Sequence, residues 1–157
     1  MRINLLLNNK ENIRQGYLNI DPFADEKDDR VKGDCINLDK YVCDGEAEEI
    51  VAYNILEYYP SESISQIMPN WLKKLSHKGI VVIACTDIDL IAKAIIEDKL
   101  ERKILDKLIY GNQRFDWEFK KCALSCEKLS VWLEMKGYKI IHKRFNKFDF
   151  ILTAQRL

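Results

Sequence analysis

Apolar positions in this chain follow two rhythms. Short unbroken runs at residues 3–7 (INLLL), 17–20 (YLNI), 48–56 (EEIVAYNIL) and 80–85 (IVVIAC) have the length and composition of buried strands. Between them, Ile64, Ile67, Met68, Trp71, Leu72 and Leu75 recur at helical spacing. Ser61 or Ser63 is placed to cap that helix, and Ser63 with Gln66 has capping-box spacing. Pro69 falls inside the pattern, where it is expected to kink the helix, and His77-Lys78-Gly79 is expected to end it. Leu90, Ile91, Ala94 and Ile95, then Ile104, Leu105 and Leu108, predict one long helix ending near Tyr110-Gly111. A further helix is predicted from a Ser125 cap through Leu129, Trp132 and Leu133 to Gly137. Two strands, at 138–145 and 148–155, follow as a hairpin joined by Asn146-Lys147.

Strands alternating with helices and closed by a hairpin imply an α/β fold: an open, mainly parallel sheet with an antiparallel edge. Ligands in such sheets sit beyond the carboxyl ends of the strands. Asp21, Asp34 and the segment from Asn54 to Tyr58 fall at three such ends. Residues 22–30 (PFADEKDDR) read as a charged loop.

The 157 residues, 47% hydrophobic, are enough for one domain over 1–157 with a substantial core. Twenty-five basic residues balance twenty-five acidic ones, so no global field draws the chain to nucleic acid or to an anionic membrane. The basic stretch 139–147 alternates as a strand with one solvated face would. No apolar run approaches the roughly 20 residues that span a bilayer. Five scattered cysteines and no secretory signal fit a reducing cytoplasm. With two histidines and no C-x-x-C, no metal site is expected.

Several segments, in order, resemble the compact class I S-adenosylmethionine-dependent methyltransferases. "GYLNIDP" is similar to the second-strand motif whose acid holds the ribose, and "GDCINL" to the next motif, whose aspartate meets the adenine edge. "EEIVAYNILEYYP" resembles the fourth-strand motif, "WLKKLSHKGIVVIAC" the helix, turn and fifth strand, and "LIYGNQ" with "LSCEKLSVWLEMKGYKI" the segment before the terminal hairpin. The resemblance implies a Rossmann-like fold with a mostly parallel sheet of the seven-stranded type, an antiparallel C-terminal hairpin and helices on both faces. It implies S-adenosylmethionine as cofactor, held by Asn8, Asp21, Asp34 and Asn54. Glu57 and Tyr58 become candidate catalytic groups. Tyr110, Gln113 and Lys121, in a segment long enough to act as a lid, become candidate substrate contacts. The substrate implied is a small molecule or a glycan precursor.

This chain departs from that pattern where the family places a Gly-x-Gly turn after the first strand. No glycine occurs between Met1 and Gly16. Asn8 and Asn9 stand there instead, the residues next most tolerant of left-handed backbone. Tyr58 replaces the usual histidine, and Thr86-Asp87 the usual proline-aspartate. Two readings follow: a methyltransferase, or a non-catalytic methyltransferase-like binding or assembly protein that has lost the cofactor. A dinucleotide-dependent oxidoreductase is disfavoured, because the chain lacks G-x-G-x-x-G and is short for two domains.

Overall fold

Strands β1 (Arg2–Leu5), β2 (Leu18–Asp21), β3 (Val31–Lys32), β4 (Ala47–Tyr53), β5 (Leu75–Thr86), β6 (Tyr138–Asn146) and β7 (Asp149–Arg156) form one seven-stranded sheet in the order β3-β2-β1-β4-β5-β7-β6. A computed structural model describes residues 1–25 and 27–157; Glu26, in the charged loop, lies outside the described residues. The first five strands run parallel, and β7 is antiparallel to both its neighbours. Strand order reverses between β1 and β4, which opens a crevice at their carboxyl ends.

Side-chain alternation sets the core. Ile3, Ile50, Val81 and Ala154 lie in one row across β1, β4, β5 and β7, and Leu5, Ala52, Ile83 and Leu152 in the next. All eight are buried, and they share one cluster with Ile67, Met68 and Trp71 of α1 (Ser61–Lys74) and Leu129 and Leu133 of α4 (Cys126–Met135). Trp71 is fully buried, and its indole N–H donates to the Cys35 carbonyl at 2.7 Å, so the polar end of the ring is satisfied.

Under β1 and β2 the opposite face of the sheet is covered by the 8–17 loop, which holds a 3-10 turn (Lys10–Asn12). Buried Asn4 and Asn19 fix that loop. The Asn4 amide donates to the Asn12 carbonyl (2.8 Å) and to Asn19 Oδ1 (2.7 Å). Asn19 Oδ1 also accepts from the Arg14 N–H, and its amide donates to the Arg14 and Tyr17 carbonyls. Side-chain amides thus satisfy a backbone that has no helix to satisfy it. The Arg14 guanidinium lies over the Tyr17 and Tyr53 rings.

Three elements differ from the periodicity. Helix α1 is capped by Pro60, with no side-chain hydrogen bond, and runs through Pro69 to Lys74. The residue after it, Leu75, already pairs with Ala47; pairing then skips to Glu49 and Ile80, so residues 76–79 bulge out of β5. Lys78 in the bulge has φ +62°, and a Cβ on Gly79 would come within 2.7 Å of the Ala47 carbonyl. The expected long helix is two, α2 (Ile88–Ile96) and α3 (Arg102–Tyr110). Asp98, with φ +52°, turns the chain after α2, and the Lys99 N–H closes back on the Ala94 carbonyl. In the C-terminal helix Ser125 caps the Lys128 N–H as expected. Among the described residues no helix is long and apolar enough to cross a membrane.

Candidate functional site

The crevice at the switch point holds two neighbouring cavities. One, of about 480 Å³, lies between Leu7, Phe23, Gly33, Asp34, Ile36 and Tyr59. The other, of about 920 Å³, is bordered by Asn8, Tyr53, Asn54, Glu57, Thr86 and Asp149. Leu7, Tyr58 and Trp117 line both, so the two are parts of one cleft. A third cavity, of about 210 Å³, shares Glu57, Thr86, Leu108 and Lys120 with the large one.

After β1 the chain turns at Asn8, whose φ of +51° is the left-handed value a glycine would supply at less cost. The Asn8 N–H donates to Asp21 Oδ1 at 3.1 Å, and the Phe23 N–H to the same oxygen at 2.9 Å. Asp21 Oδ2 accepts from Arg30 Nη1 at 2.5 Å, and both side chains are fully buried. Arg30 Nη2 reaches Asp28. Burial alone would lower the Arg30 guanidinium, but its hydrogen bonds to Asp28 and Asp21 outweigh that and raise it. Asp28, held by Arg30 and then by the Asp25 N–H, is brought down to about 2. Asp21 therefore ends the second strand as the sequence places it, yet borders none of the three cavities.

Following β4, Asn54 has φ +54°, and its N–H donates to the Ala84 carbonyl at 2.7 Å. A 3-10 turn (Leu56–Tyr58) then buries Glu57, which is 3% exposed. Its Oε2 has no hydrogen-bond partner, and its Oε1 lies 3.9 Å from Lys120 Nζ. Burial raises the Glu57 carboxyl, and the nearby Lys120 ammonium and then the Cys85 thiol only partly offset this. The Lys120 ammonium bonds to Thr86 Oγ1 (2.7 Å) and to the Leu108 carbonyl (3.0 Å), while Thr86 donates to Asp149 (3.1 Å). Tyr58 is pushed up to about 12 by burial and then by the Glu57 charge, so it remains a phenol at neutral pH.

Residues between α3 and α4 cover the cleft. The Lys121 N–H donates to the Glu57 carbonyl at 2.7 Å, pinning the segment to the site. Arg114 forks onto buried Glu118. Trp117 packs against Phe23 (5.2 Å between ring centres), Tyr58 (6.0 Å) and Phe115 (6.2 Å). Gly111, at φ +84°, is needed here, since a Cβ would sit 2.3 Å from the Glu118 carbonyl.

The structure thus gathers Asn8, Asn54, Glu57 and Tyr58 at the large cavity, Asp34, Tyr58 and Lys121 at the 480 Å³ cavity, and Glu57, Tyr110 and Lys121 at the small one. Gln113 stands apart, on a shallow pocket against α3. Lys120, Thr86, Asp149 and Arg30 were not singled out by sequence reasoning as site residues; Thr86 alone carried a signal, as the residue closing the fifth strand. Asp87, beside it, caps α2 by accepting from the Asp89 N–H. Among the described residues no group of His, Cys, Asp or Glu side chains is placed to hold a metal ion.

No family model matches the sequence, and neither does any curated protein. Solved structures do match in fold. A SAM-dependent methyltransferase from Archaeoglobus fulgidus aligns over 99% of this chain and 86% of its own, at 14% identity and a TM-score of 0.60. One from Methanosarcina mazei aligns over 80% and 65%, at 17% identity and 0.54. The Burkholderia thailandensis 1,6-didemethyltoxoflavin N1-methyltransferase, solved with 1,6-didemethyltoxoflavin and S-adenosylhomocysteine bound, aligns over 81% and 50%, at 9% identity and 0.53. The chain spans between 35% and 65% of the length of the first solved structures it matches. The strand order with its antiparallel β7 and these alignments agree: the chain has the Rossmann-like fold of the class I S-adenosylmethionine-dependent methyltransferases.

Proposed function

We propose that this chain binds S-adenosylmethionine along the two-cavity cleft and is a methyltransferase acting on a small molecule or glycan precursor. The observation that carries the reading is the form of the cleft at the switch point, an apolar pocket edged by a carboxylate and continuous with a larger polar cavity containing a buried carboxyl group. Leu7, Ile36 and Tyr59 make apolar walls suited to an adenine ring. Asp34 spends Oδ1 on the Ile36 N–H (2.8 Å), which leaves its second oxygen for an exocyclic amine. Asn8 supplies the left-handed turn, and with Asn54 borders the space for the rest of the cofactor.

When bound, the cofactor supplies an electrophilic methyl group. What the chain adds is orientation, exclusion of water and a proton acceptor. Glu57, with its proton affinity raised by burial, is matched to take a proton from the acceptor nearer neutral pH than an ordinary carboxylate. Tyr58 remains a hydrogen-bond donor beside it. The segment carrying Tyr110, Trp117 and Lys121 keeps water from the crevice. Five free thiols favour a cytoplasmic, reducing location.

Calorimetric titration with S-adenosylmethionine and S-adenosylhomocysteine tests the reading. Saturable binding, weakened about tenfold in Asp34→Ala by loss of one charge-assisted hydrogen bond, is expected. No saturable heat at millimolar ligand would sink it. One observation favours the alternative of a non-catalytic binding or assembly protein: Asp21, the acid implied for the ribose, already has both oxygens engaged, one by Arg30.

A further inference from the structure

The small cavity beside Glu57 differs in character from the rest of the cleft. Its walls are Ile88 and Ile91 of α2, Leu108 of α3 and Leu124 of the covering segment, and its charged inner edge is Glu57 with Lys120. Glu57 Oε2 is buried with no donor in hydrogen-bond geometry, and besides Lys120 the carboxylate is steadied by the buried Cys85 thiol, a weak donor. Lys120 does not fill that need, since its ammonium is 3.9 Å from the other oxygen and already bonded to Thr86 and the Leu108 carbonyl. A buried acceptor served by so weak a donor favours any ligand that brings it a stronger one.

Size and polarity narrow the ligand. An apolar cavity of about 150 Å³ holds one benzene ring, so 210 Å³ holds a ring with a substituent. A sugar ring would strand its hydroxyls against Ile88, Ile91 and Leu108. A hydroxyl acid enough to share its proton with a carboxylate, beside an ammonium that favours the resulting anion, describes a phenol better than an alkanol. The half-buried Cys122 thiol adds a soft contact suited to an aromatic ring.

We propose that this cavity is the acceptor subsite for a small phenol, whose ring sits between α2, α3 and residues 122–124 and whose hydroxyl donates to Glu57 Oε2 beside Lys120. The term acceptor rests on the methyltransferase reading; the ring site itself does not.

Phenol titrated into the full chain, followed by amide chemical shifts, is the test, with cyclohexanol as the comparison. Saturable shifts at Leu108, Tyr110 and Cys122, weaker binding of cyclohexanol, about tenfold weaker phenol binding in Glu57→Gln, and loss of binding in Leu108→Trp with an unchanged melting temperature would support the proposal. Should Leu108→Trp not fold, Cys122→Phe fills the pocket from the facing wall. No saturable phenol binding at millimolar concentration, equal binding of cyclohexanol, or unchanged binding in the pocket-filling variant would overturn it. S-adenosylhomocysteine is titrated into the same sample. Binding of that ligand without phenol overturns only the subsite, whereas phenol without that ligand supports the ring site and overturns the methyltransferase reading.

Discussion

Arg30→Met is the perturbation that tests the buried ion pair closing β2 most directly. It keeps most of the stem volume and removes the guanidinium from a fully buried Asp21. Removing one partner of a buried ion pair costs about 3–5 kcal/mol. Asp21 keeps two backbone donors on Oδ1, and the variant also abolishes the unpartnered Arg30 Nε, which together bring the expected loss to about 2–3 kcal/mol. In a chain of 157 residues that is a fall of about 5–10 °C in Tm, measurable by thermal and urea unfolding. The same substitution leaves Asp21 Oδ2 without its donor, but Asp21 borders neither cavity of the cleft, so affinity for S-adenosylhomocysteine should stay that of the parent. A variant as stable as the parent would refute the closed pair. Lower stability with an altered affinity for S-adenosylhomocysteine would refute the separation of Asp21 from the cleft.

Further outcomes follow from the same geometry. The Asp28 carboxyl falls from an ordinary 3.8 to about 2 through Arg30, so its contribution is present above 3.8 and lost as pH falls toward 2; acid titration of the melting temperature should show that window in the parent and not in Arg30→Met. Glu57 has the opposite sign: its folded proton affinity is raised, so stability declines as pH rises above the ordinary 4.5, and Glu57→Gln should gain on the parent in urea midpoint over that range. Asn19→Leu strands the Arg14 and Tyr17 backbone groups and should cost about 2–4 kcal/mol by urea unfolding. Gly111→Ala forces a Cβ to 2.3 Å from the Glu118 carbonyl at φ +84°, and should cost about 1–3 kcal/mol and alter Trp117 fluorescence.

Strands β1, β2, β4 and most of β5, with the closing hairpin, were legible because their cause is local, whereas the two exposed residues of β3 form no apolar run. Buried parallel strands read as continuous apolar runs, and Ser125 caps its helix through its own side chain. The break after α2 was not legible, since apolar spacing continues past it and the turn depends on the backbone of Asp98. The early start of β5 depends on Leu75 pairing with Ala47, a contact between residues 28 positions apart. Asp21 could be read as a strand-ending acid. Its ion pair could not, because Arg30 lies in a charged stretch that resembles a solvated loop and enters the interior only when β3 pairs with β2. Glu57 stood out by position, but its missing partner and the neighbouring apolar pocket arise from α2, α3 and residues 120–124 meeting in space.

The central claim, an adenosyl group lodged at the switch point, is tested most directly by amide spectra recorded with S-adenosylhomocysteine. Saturable shifts at Leu7, Gly33, Asp34 and Ile36, the walls of the 480 Å³ cavity, together with Asn8 and Asn54 of the larger one, are the expected result. Absence of shifts at millimolar ligand, or shifts confined to surfaces away from β1, β2 and β4, would contradict it.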